Sequence, residues 1–159
     1  MRWVYVLSGL LALVVGCGGS SPPPESAQGK PGKLSKGEQC LRDAAAPREP
    51  PPNAPGRVEL SHILVRHDAL KRPQGATRSP EEACLRALEA RAKLEAGANW
   101  AEVVKEYSDA GQDMEGAIGF VSYGDLEPNF ANAAFALEMN ELSYVVETER
   151  GFHIILRTE

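Results

Sequence analysis

The sequence predicts an α+β domain across residues 57–159. Residues 144–148 and 152–157 are apolar runs separated only by Glu149-Arg150-Gly151. So close a connection forces antiparallel pairing. Residues 79–97, 100–107 and 128–137 instead repeat their apolar positions at helical spacing. The resulting order is strand, helices, strand, helix, strand, strand. Helices segregated around an antiparallel sheet make the α+β class.

Each element has local signals. Residues 57–66 read as a strand, with 60, 62, 64 and 66 on one face and 61, 63 and 65 on the other. His62, Leu64 and Arg66 therefore share a face. Ser79-Pro80-Glu81-Glu82 is a helix start: a capping serine, proline in the first turn and early acids. The helix carries two apolar rows up to Gly97, one of Ala83, Ala87, Ala90 and Leu94, the other of Leu85, Leu88 and Ala92. Periodicity alone leaves open which row meets the sheet. Trp100, Val103, Val104 and Tyr107 form the stripe of a second helix, and 108–113 is a loop or a single helical turn. Residues 117–122, between Gly116 and Gly124, make a strand. The helix at 128–137 begins with Pro128 and carries Phe130, Ala133, Ala134 and Leu137.

The N-terminal third has another character. Met1-Arg2 precede an apolar run at 3–15, shorter than the about 20 residues of a membrane span and shaped like a signal-peptide core. It ends in Leu13-Val14-Val15-Gly16-Cys17, which resembles the bacterial lipobox. That resemblance implies a signal at 1–16 and lipidation of Cys17. Gly18, in place of an aspartate, favours the outer over the inner membrane. A plain cleaved signal with an incidental cysteine is the alternative. Residues 17–56 are proline-rich and polar, and read as a flexible tether. Such a tether reaches on the order of 35 Å as a coil and about 120 Å as extended polyproline. Within it, Ser35 and Glu38 form a weak capping-box signal for a short helix over 35–46. The expected location is the cell envelope, with the domain in the periplasm or at the cell surface.

Net charge of −5 argues against a general nucleic-acid binder. No zinc-type cluster appears in the sequence, and neither a metal nor a cofactor is expected. With Cys17 lipidated, Cys40 and Cys84 remain as an even pair, either bridged or free. A bridge would pin the tether to the first helix of the domain.

Four stretches together carry a resemblance: Ser61-His62-Ile63-Leu64-Val65-Arg66-His67, Gly116-Ala117-Ile118-Gly119-Phe120, Asn129 to Phe135, and Gly151-Phe152-His153-Ile154-Ile155-Leu156-Arg157. Residues 57–159 resemble a parvulin-type peptidyl-prolyl isomerase, closest to the phospho-directed branch. The resemblance implies a four-stranded antiparallel sheet surrounded by about four helices. It implies paired imidazoles at His62 and His153, a hydroxyl partner at Thr148, and a proline pocket of Ile118, Leu126 and Phe130. It also implies an anion site at Arg66, Lys71 and Arg72. One position departs from the pattern: Ala110 stands in the catalytic set where the family has cysteine or aspartate. Asp109 could replace that group only in a different loop register.

Such a site needs no nucleophile. Amide resonance sets a rotation barrier of about 18–20 kcal/mol, and an apolar pocket favours the less polar twisted state. Stabilising that state is sufficient for catalysis. The expected function is prolyl isomerisation on folding extracytoplasmic polypeptides, with Glu or Asp before proline, by a membrane-anchored monomer. The alternative is a non-catalytic chaperone module that grips proline-containing segments, which Ala110 favours.

Overall fold

The computed structural model describes residues 33–49 and 51–159. The signal at 1–16, Cys17 and the tether up to residue 32 lie outside the described residues. Helix α1 spans Lys36–Ala44, β1 Val58–Val65, α2 Pro80–Glu95, α3 Trp100–Tyr107 and β2 Ala117–Val121. They are followed by α4 at Pro128–Ala136, β3 at Val146–Thr148 and β4 at Gly151–Arg157, with short 3-10 turns before and after β2. The strands form one antiparallel sheet in the order β2-β1-β4-β3.

The helix starts follow their chemistry. The Ser79 hydroxyl accepts the Glu82 N–H at 3.2 Å, and the Glu82 carboxylate returns to the Ser79 N–H at 2.7 Å. Ser35 and Glu38 make the same reciprocal pair at α1. Each box satisfies two amide donors that the first helical turn leaves without partners.

Register on the sheet places the site. Ile63, Val65, Phe152 and Ile154 face α2 and α3, where they meet Ala83, Ala87, Val104 and Tyr107. Val58, Leu60, Val146 and Ile155 face α4, against Phe130, Ala133 and Ala134. Fully burying one such side chain is worth about 1.5–3 kcal/mol. A one-residue slip would exchange every side chain between the faces, so the two apolar sets hold His62 and His153 on the α4 side. The α2 question also resolves: Ala83, Ala87 and Ala90 are fully buried, whereas Leu85 and Leu88 are exposed. The alanines let the helix approach the sheet closely.

The compact unit begins at Lys33, earlier than the expected boundary at residue 57. Helix α1 buries Gly37, Cys40 and Ala44. Cys40 is bridged to Cys84 on α2, with the Cα atoms 6.0 Å apart. The segment from Lys33 to Ala44 is therefore part of the domain and not of a tether. Gly37, Cys40, Leu41 and Ala44 form its packed face.

Candidate active site

The site sits where the middle of β1, the start of β4 and the first turn of α4 meet. Leu64 pairs with His153 across β1 and β4, so His62 is the diagonal neighbour of His153 on the same face. The two rings stack with centroids 5.2 Å apart, and their Nδ1 atoms are 3.1 Å apart. Phe130 meets both edge-on, at 5.1 Å from His153 and 5.9 Å from His62. On the far side, Thr148 Oγ1 lies 2.8 Å from His153 Nε2.

Two glycines make the close approach possible. Gly116 has φ +73°, and its carbonyl accepts the His62 N–H at 2.8 Å. A Cβ there would stand 2.2 Å from the His62 carbonyl oxygen. Gly151 opens β4 at φ +131°, where a Cβ would stand 2.5 Å from the Val65 carbonyl oxygen.

Both imidazoles are held neutral. Burial pushes His62 down to about 4, with help from the positive charges of Arg150 and Arg66. His153 is only 2% exposed, and its proton affinity falls well below the usual histidine range through burial first and His62, Arg150 and Arg66 next. Hydrogen bonding then orders the protons. Thr148 Oγ1 already accepts the Arg150 N–H at 3.0 Å. The hydroxyl also lies 2.8 Å from His153 Nε2 and 3.5 Å from the Gly151 carbonyl, which can accept its proton. With both rings neutral, one Nδ1–H donates to the other Nδ1, and the accepting ring carries its single ring proton on Nε2. The relay is satisfied without any net charge.

Beside this pair lies a cavity of about 260 Å³. Ile118, Leu126 and Phe130 line it together with His62, His153 and Thr148. All six residues expected at the catalytic pair, its hydroxyl partner and the proline pocket thus share one space. Asp125, Glu127 and Arg150 complete the wall, and sequence reasoning missed them. They lie in turns and at a helix cap, where no periodicity marks a residue.

The remaining expected residues separate. Ala110 is half-buried, and its carbonyl accepts the Ser108 hydroxyl at 2.6 Å; it does not line the cavity. Asp109 does not take over the missing polar group. Its carboxylate accepts the Arg66 N–H at 2.7 Å and Arg78 Nη1 at 2.5 Å, and it lines a different, polar cavity of about 250 Å³. Ser108 Oγ accepts the Leu64 N–H, and Asp109 N–H donates to the Leu64 carbonyl, so this loop is stitched onto β1. The Arg66 guanidinium donates to the Asp109 carbonyl. Lys71 forms an exposed ion pair with Glu149 at 3.5 Å, and Arg72 is exposed and lines neither cavity. Arg78, which holds Asp109, gave no signal in the sequence. Among the described residues no group of His, Cys, Asp and Glu is arranged to hold a metal ion.

The antiparallel sheet carries helices on both faces, and a neutral histidine pair lies beside a cavity with apolar walls at Ile118, Leu126 and Phe130. The sequence profile of the rotamase family, the PPIC-type PPIase domain, matches residues 62–159, and the chain belongs to that family. The chain is 36% identical over 112 residues to "Putative peptidyl-prolyl cis-trans isomerase dodo" of Drosophila melanogaster, covering 66% of this chain and 68% of the relative. It is 38% identical over 104 residues to "Foldase protein PrsA" of Halalkalibacterium halodurans, covering 64% of this chain but only 26% of that protein. Among solved structures, "Peptidyl-prolyl isomerase ESS1 from Candida albicans" superposes with a TM-score of 0.60 at 30% identity, covering 65% of this chain and 63% of that one. The activity of the domain is peptidyl-prolyl cis-trans isomerisation.

Proposed function

We propose that this domain isomerises prolyl bonds in polypeptides that fold outside the cytoplasm, and that it favours Glu or Asp before proline. The observation that carries the reading is the joint cavity of Ile118, Leu126 and Phe130 beside the neutral His62–His153 pair. A five-membered ring seated against those apolar walls leaves its preceding carbonyl short of water. The twisted amide is less dipolar than the planar one, so loss of water costs the ground state more than the transition state. Because no bond breaks, Ala110 does not disable this chemistry.

Folding clients are supported by the likeness to a protein named as a foldase. A cell-envelope location with a lipid anchor rests on the sequence around Cys17 and its lipobox resemblance. Anion preference rests on the family resemblance, in which Arg66, Lys71 and Arg72 match the anion positions of the phospho-directed branch. A carboxylate suits a compartment without ATP better than a phosphate does. A protease-coupled assay on Glu-Pro, Ala-Pro and phosphoserine-Pro peptides tests the substrate class. Faster exchange on the acidic peptide supports it, and equal rates on all three reject the preference. The non-catalytic chaperone reading, favoured by Ala110, predicts binding of all three with no acceleration of any.

A further inference from the structure

Among the described residues, the cavity wall contains a cation, Arg150, that makes no ion pair. Arg150 sits on the turn between β3 and β4, and its main-chain N–H is fixed on Thr148 Oγ1, the hydroxyl that also bonds His153. The side chain is exposed, lines the proline cavity, and makes no ion pair among the described residues. The acids that share the wall are occupied elsewhere. Glu127 Oε1 accepts the Glu149 N–H at 3.0 Å, and the Asp125 carboxylate accepts the Ser122 N–H at 2.8 Å. The other basic residues near the cavity are less available. Arg66 is bound to the Asp109 carbonyl, and Lys71 is paired with Glu149.

We infer that Arg150 is the specificity-determining residue of this site, and that its guanidinium takes the carboxylate of an acidic residue before proline. The inference deepens the proposed function and rests on it: it assigns the acid preference to the β3–β4 turn and away from the cluster of Arg66, Lys71 and Arg72. A guanidinium is suited to the task because its planar fork can hold both carboxylate oxygens at once. The Arg150 main chain is anchored on Thr148, which places the root of the side chain beside the imidazole pair.

The test compares kcat/KM on Glu-Pro and Ala-Pro peptides for the full chain and its Arg150→Ala, Arg150→Lys and Lys71→Ala variants. Arg150→Ala is expected to lower the Glu-Pro to Ala-Pro ratio by about tenfold, mainly through KM. Arg150→Lys should restore part of the ratio, and Lys71→Ala should leave it within about twofold. Added salt should erode the wild-type ratio and leave that of Arg150→Ala unmoved. An unchanged ratio in Arg150→Ala overturns the inference, as does an equal loss on both peptides, which would mark a structural role. Affinities for the same peptides are measured by titration. If wild type accelerates neither peptide, the isomerase reading fails, and the affinity ratio still decides the role of Arg150.

Discussion

Acidification should destabilise this domain through its histidine pair. In the unfolded chain a histidine titrates near 6.5, whereas folded His62 is pushed down to about 4. Below pH 6.5 the unfolded state takes up a proton that the folded state refuses. Stability is therefore full above about pH 7 and is lost as pH falls toward 4. From pH 7 to pH 5 the loss assignable to His62 is about 2 kcal/mol, and by pH 4 it is roughly 3 kcal/mol. His153 and His67 are shifted in the same direction and add to the loss. Urea unfolding between pH 7.5 and 5 gives the stability, and imidazole carbon–proton correlation spectra give the midpoint of each ring. An unaltered stability down to pH 5, or a His62 midpoint near 6.5, would refute the neutral, desolvated pair.

Other perturbations have distinct expected outcomes. Reducing the Cys40–Cys84 bridge, or changing Cys84 to Ser, should cost up to about 4 kcal/mol by loop-closure entropy over a sequence separation of 44, read by urea midpoints with and without reductant. Gly116→Ala should destabilise by at least about 2 kcal/mol in thermal unfolding, because a left-handed backbone and a clash with the His62 carbonyl coincide. Thr148→Val should cost about 1–3 kcal/mol, since it leaves His153 Nε2 buried without a partner. Leu126→Ala, at a half-buried position, should keep the fold but lower kcat/KM about tenfold on every prolyl peptide, equivalent to about 1.4 kcal/mol.

Much of this fold was legible because its signals are local. The Ser79–Glu82 capping box, the tight turn before β4 and the alternation along β1 each act within a few residues. His62 and His153 fall on one face through alternation and register alone, while their roles and the pocket of Ile118, Leu126 and Phe130 came from the family resemblance. What escaped was set by tertiary contact. The short helix α1 was expected, but its docking on α2 through Gly37, Cys40 and Ala44 is a contact between distant segments that no local pattern encodes. Asp109 and Arg78 are joined only by folding, and no spacing rule links them. Arg150 and Glu127 lie at a turn and a helix cap, where charge usually means solvent.

The central claim is that an apolar cavity flanked by two uncharged imidazoles accelerates rotation about a prolyl bond. Two-dimensional exchange spectroscopy of an Ala-Pro peptide, with the protein at substoichiometric concentration, tests it most directly when combined with methyl spectra of the protein. The account predicts cis–trans cross-peaks that appear only with protein present, and methyl shifts concentrated at Ile118 and Leu126. Absent cross-peaks at saturating peptide, or exchange accompanied by shifts elsewhere and none at these two residues, would contradict it.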